Sequence, residues 1–188
     1  VMENIEGRTL ADAMETRTHG EGDPYSLKNA KKILLEVCEA LEPMADMNPP
    51  IYHRDIKPGN VILNGERGAV LIDFGLASMS DAGMKFSRSQ GIASVGWAPP
   101  ERNEKSTTGG FIDVYSMGQM LWHMLTAQDP IFASEKQEDR VREEIAQRGN
   151  PDWVADLILR STVSKPWNER MQTITEFRMA LENGGGME

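Results

Sequence analysis

What this chain lacks already narrows its chemistry. Its one cysteine, Cys38, excludes an internal disulfide framework. No apolar run approaches the roughly 18 residues that a membrane-spanning helix requires, and the N-terminus carries no secretory signal. A formal net charge of -9 argues against a general binder of nucleic-acid backbones, because such domains carry a basic stripe. These absences predict a cytoplasmic module that has no nucleic-acid partner and no membrane segment, any anchor of a longer parent lying outside it. No internal repeat is present. Two glycine clusters, Gly20-Glu21-Gly22 and Gly184-Gly185-Gly186, do not lie between apolar strand-like runs, so they read as loop and tail.

What is present suits one core. With 188 residues, 39% of them hydrophobic, the chain is too short for two ordinary domains. Ser26 is a fitting N-cap, and Leu27, Ala30, Ile33, Leu34, Val37, Cys38, Leu41 and Met44 recur at the three- and four-residue intervals of one helix face. Cys38 on that face reads as a small buried thiol, since no His or basic residue close in sequence would activate it. Pro43 is expected to kink or stop this helix. Val61-Ile62-Leu63 and Ala69-Val70-Leu71-Ile72 flank Asn64-Gly65-Glu66-Arg67-Gly68 and predict a small β-hairpin. That hairpin carries Asn60 at one end and Asp73 at the other, so it brings the two side by side.

Phe111 to Thr126 is apolar nearly all round, which predicts a helix buried on every side. His123 within it reads as a satisfied histidine rather than a metal ligand, the only others being His19 and His53. Further helices are expected around 135–147, after Asn150 and Pro151, and near 171–182. The twelve methionines fall mostly at helical intervals and read as core filler.

The chemistry lies in His53-Arg54-Asp55-Ile56-Lys57-Pro58-Gly59-Asn60 and, eighteen residues after Asp55, Asp73-Phe74-Gly75. Two carboxylates and an amide at those intervals suit a phosphoryl-transfer site, one to orient the acceptor and the others to hold magnesium. These motifs, in this order, resemble the signatures of the eukaryotic-like serine/threonine protein kinases, including the bacterial ones. The resemblance runs from Val1 to about Leu181 and covers the second half of that domain. It implies a mainly α fold with a small β-hairpin, the large C-terminal lobe and hinge of a kinase over 1–183, followed by a flexible tail at 184–188. No glycine-rich loop, strand lysine or glutamate-bearing helix is found, so the N-terminal lobe is expected to be a missing partner.

Several roles follow from the resemblance. Met2 would be the gatekeeper, Glu3 to Ile5 would face the adenine of ATP, and Ile62 would form the floor beneath it. Asp55 would orient and accept the proton of a substrate hydroxyl, Lys57 would meet the γ-phosphate, and Asn60 and Asp73 would hold Mg2+. Lysine at 57 resembles the serine/threonine class. Ser94-Val95-Gly96-Trp97-Ala98-Pro99-Pro100-Glu101 resembles the end of an activation segment, where Ser94 would bridge the catalytic Asp and Lys. Asp113 would hold the catalytic-loop backbone, and Arg170 would pair with Glu101. Arg54 resembles the arginine that pairs with an activation-segment phosphate, placing the regulatory site at Ser87 or Ser89. Ser78 stands where a second cation is often found. The leading reading is the large lobe of an ATP-dependent kinase acting on protein Ser/Thr, the chain alone being inactive. The alternative is a non-catalytic binding or scaffold module. A small-molecule kinase is disfavoured by Glu101, Asp113 and Arg170.

Overall fold

The computed structural model describes residues 4–16, 24–74, 78–79, 96–103, 109–131, 137–162 and 166–184. In chain order the elements are β1 (Arg8–Thr9), α1 (Leu10–Thr16), α2 (Leu27–Ala45), β2 (Ile51–Tyr52), β3 (Val61–Asn64), β4 (Gly68–Leu71), β5 (Ser78–Met79), α3 (Phe111–Thr126), α4 (Gln137–Gln147), α5 (Asp152–Ser161) and α6 (Ile174–Glu182). Short 3-10 turns cover Pro58–Asn60 and Pro100–Asn103. The fold is mainly helical with little sheet, as the sequence predicts.

Helix α2 starts where its polar cap and apolar periodicity place it. The Ser26 side chain accepts from the Asn29 N–H, and Ala30, Ile33, Leu34, Val37, Cys38 and Leu41 are buried on one face. Pro43 departs from expectation, because the helix runs through it to Ala45. A proline removes one i to i−4 hydrogen bond, and here the helix has only two residues left to run. The loss therefore falls in a final turn that Asp46 closes by donating to the Glu42 and Met44 carbonyls.

The hairpin pairs β3 with β4 antiparallel, Val61 opposite Leu71 and Asn64 opposite Gly68. It is larger than the sequence suggests: β1 adds a third strand, with Arg8 opposite Leu63 and Thr9 opposite Ile62. Gly7 enables that approach. Its φ of +143° lies outside the usual range of L side chains, and a Cβ there would stand 2.5 Å from the Leu63 carbonyl oxygen. The Asn64 side chain donates to the Glu6 carbonyl at 2.7 Å, fixing the incoming segment. A second ladder joins β2 to β5, Ile51 opposite Met79.

Helix α3 is the axis of the helical layer. Fifteen of its sixteen residues are buried, with His123 the half-buried exception. Its polar groups are satisfied internally: Gln119 donates to Tyr115 and to the Ile131 carbonyl and accepts from the Ile131 N–H. Gly118 lets α5 come close, since a Cβ there would meet the Ser161 Cβ at 2.6 Å. Helix α2 packs on α3, α6 and β4, and α5 packs on α3, α4 and α6. The Tyr25 N–H donates to the Met124 carbonyl at 2.8 Å, tying the approach to α2 to the end of α3.

Helix α6 begins at Ile174, three residues later than the expected start. Thr173 and Glu176 form a complete capping box there. Among the described residues, no helix is long and apolar enough to cross a membrane.

Candidate phosphoryl-transfer site

The loop between β2 and β3 is held from behind by α3. Both oxygens of the buried Asp113 carboxylate accept backbone N–H bonds, Oδ2 from His53 at 2.9 Å and Oδ1 from Arg54 at 2.7 Å. Burial pushes the Asp113 carboxyl above its usual range, while those two donors and the neighbouring His53 and Arg54 pull the other way. The loop is bent to meet this clasp: Arg54 has φ +67° and Asp73 has φ +63°. Such left-handed non-glycine residues are held only where the surroundings over-determine them.

His53 ties the loop to the end of β4. Its Nε2 lies 3.2 Å from the Ile72 carbonyl and must donate to it, whereas its Nδ1 accepts from the Asp55 N–H at 3.3 Å. Both bonds can exist only in the neutral Nε2–H tautomer. Burial favours that form by lowering the imidazole's pKa. The Phe74 ring meets the His53 ring edge-on at 4.8 Å.

Two side chains converge on Asp55. Lys57 Nζ lies 2.9 Å from Asp55 Oδ2, and Asn60 Nδ2 donates to Asp55 Oδ2 at 3.1 Å and to its carbonyl at 2.8 Å. Because the Asn60 amide nitrogen is spent on Asp55, its amide oxygen is the atom left to meet a cation. The Ile72 N–H donates to the Asn60 carbonyl at 2.9 Å, so Asp73, two residues beyond the end of β4, follows directly on a residue bonded to Asn60. One carboxylate and one amide oxygen fit magnesium, which keeps several waters and shares phosphate oxygens. Among the described residues, no group of three or more His, Cys, Asp or Glu could hold an ion.

Other candidate residues take these positions. Glu101 and Arg170 form an ion pair at 2.6 Å with both side chains buried. The Arg170 guanidinium also lies over the Tyr115 ring, 5.3 Å from its centroid. The Arg54 side chain is buried. Ile5, ahead of β1, and Ile62, in the central strand β3, are both half-buried. Glu3, Gly75, Ser87, Ser89 and Ser94 lie outside the described residues, as does the side chain of Ser78. Sequence reasoning overlooked Ser116, whose hydroxyl donates to the Trp97 carbonyl at 2.8 Å and so joins α3 to the segment before Glu101. No residue pattern signals that contact.

The strain at Asp73 separates function from fold. Replacing Asp73 with Gly removes the left-handed penalty of roughly 1 kcal/mol and also removes the carboxylate. Thermal unfolding should show a midpoint equal to or above that of the parent chain. A clearly lower midpoint would mean that the Asp73 side chain supports the fold.

A family model described as a protein kinase domain matches residues 1–180. The chain is 28% identical to a probable serine/threonine-protein kinase, CE0033, of Corynebacterium efficiens, over 97% of this chain and 28% of that protein. It is likewise 28% identical to the serine/threonine-protein kinase PknB of Mycobacterium tuberculosis, over 96% of this chain and 29% of the relative. The chain thus spans under a third of the length of these relatives.

Proposed function

Because the chain belongs to the protein kinase domain family, we propose that its parent protein transfers the γ-phosphoryl group of ATP to serine or threonine hydroxyls of proteins, and that this chain supplies the acceptor-orienting, magnesium-holding half of the site. The observation that carries this reading is the convergence of Lys57 and Asn60 on Asp55. ATP with Mg2+ would supply the transferable group and neutralise its charge. Asp55 would hold the substrate hydroxyl and take its proton, and the Lys57 ammonium would face the transferring phosphate as a point charge. Asn60 and Asp73 would hold the metal. Use of ATP favours a cytoplasmic location for this half, wherever the rest of the parent lies.

Acting by itself, the chain is expected to be inactive. It contains no glycine-rich phosphate-covering loop and no strand lysine, and both act on the phosphates in the family. Incubation with radiolabelled ATP, magnesium and a basic protein substrate should give no transfer above background. Transfer that Asp55→Asn abolishes would overturn this. A second reading is a binding module without catalysis. The full-length protein discriminates: Asp55-dependent transfer supports the kinase reading, and its absence across a broad panel of proteins supports the binding module.

A further inference from the structure

Beside the Asp55 loop lies a groove of about 490 Å3 between α1, the Lys57–Gly59 turn, Trp97 and the C-terminal end of α3. Its described lining carries more carboxylates than cations. Asp12 and Glu15 project from α1, and Asp129 lies beyond the end of α3; all three are exposed. Lys57 is the only Lys or Arg among the described residues that line it, and its ammonium is already 2.9 Å from the Asp55 carboxylate. At His123 burial lowers the imidazole's pKa, while the Nδ1 bond to the Gln128 carbonyl at 2.6 Å and the nearby Asp129 pull the other way.

Two further features favour a cation. The sixteen-residue α3 ends here, and a helix C-terminus carries the negative end of its dipole. The half-buried Trp97 indole, packed edge-on against the His123 ring at 5.2 Å, lines the same groove and offers an aromatic surface on which a guanidinium can stack. Lys57 belongs both to the groove and to the Asp55 cluster, so a chain segment lying in the groove continues directly to the acceptor position.

We infer that this groove binds Arg or Lys side chains flanking the acceptor serine or threonine, so that the substrates of the site are basic peptide segments. The inference rests on the proposed transfer reading for the word substrate, while the binding itself is separable from it. It follows from the groove's carboxylates, its spent lysine and its position, and it names a class of peptide.

The test is equilibrium binding to the 188-residue chain, without nucleotide, of three fluorescent 12-residue peptides. Each has a central Ser, flanked on both sides by paired Arg, paired Ala or paired Glu. The Arg peptide should bind at least about tenfold more tightly than the Ala peptide, a preference that weakens as added salt shortens the screening length. The Glu peptide should bind least. In a Glu15→Lys, Asp129→Lys double variant the order of Arg and Glu peptides should reverse, and in Glu15→Gln, Asp129→Asn the preference should shrink. A Glu66→Lys, Glu169→Lys variant changes net charge equally at exposed positions outside the groove and should keep the parent order. Equal binding of Arg and Ala peptides would overturn the inference. So would an order unchanged in the groove variant, or one reversed equally by the control. A full-length protein that transfers no phosphate, while the chain keeps its Arg preference, would refute the transfer reading and leave the groove assignment standing.

Discussion

In any form of the protein that transfers phosphate, Asp55→Asn should lower turnover by about 10²- to 10⁴-fold, the range that a positioned proton acceptor contributes. The amide keeps the size of the carboxylate but loses its charge and its ability to take a proton. Lys57, now 2.9 Å from Asp55 Oδ2, would lose its charge partner, and Asn60 would still have the Asp55 carbonyl to donate to at 2.8 Å. The loop should therefore stay folded, because its backbone is clasped by Asp113 and not by Asp55. The loss should appear in the chemical step with little change in protein-substrate binding. Turnover within a few-fold of the parent would remove Asp55 from the role of proton acceptor.

The second large effect concerns stability. Glu101 and Arg170 meet at 2.6 Å with side-chain exposures of 9% and 4%. Removing one partner of a buried pair strands the other charge away from water, at a cost of about 3 to 5 kcal/mol. Arg170→Ala should accordingly lower the thermal midpoint by roughly 6 to 20 °C, taking about 2 to 4 °C per kcal/mol for a chain of this size. Part of that loss is the guanidinium's contact with the Tyr115 ring. The double variant Glu101→Gln, Arg170→Met removes both charges and should recover much of the loss. A midpoint for Arg170→Ala within about 2 °C of the parent, which at this size means under about 1 kcal/mol, would deny the pair its weight.

The elements legible in the sequence are those whose signal is local. Helix α2 declares itself by a cap and eight periodic apolar residues, α3 by unbroken hydrophobicity, and β3–β4 by two apolar runs around a polar glycine-containing turn. What was missed depends on contacts between distant segments. Strand β1 is two residues long, and its partner β3 lies more than fifty positions away. Helix α1, only seven residues long, buries Leu10, Ala13 and Met14, too few for a periodicity to register. The Thr173 to Glu176 cap was readable from spacing alone and would have placed the start of α6 correctly. Within the site, the motif spacing names Asp55, Lys57, Asn60 and Asp73 as candidates, and the hairpin reading sets Asn60 and Asp73 side by side. It could not show that the His53 ring selects one tautomer by bridging Ile72 and Asp55, since that depends on where β4 ends.

The thiol of Cys38 is fully enclosed by α2's packing, and burial followed by the nearby Glu42 carboxylate pushes its pKa up to about 12. It is the chain's sole cysteine, so in the folded state an alkylating reagent finds neither an accessible sulfur nor a thiolate. The molecule is thus a natural blank for site-specific labelling: a cysteine introduced on the surface, at Glu66 for instance, can carry a dye without first removing the native one. The same silence makes Cys38 a clock. Whatever alkylation it undergoes must wait for α2 to lift from the core, so its modification rate counts those openings directly.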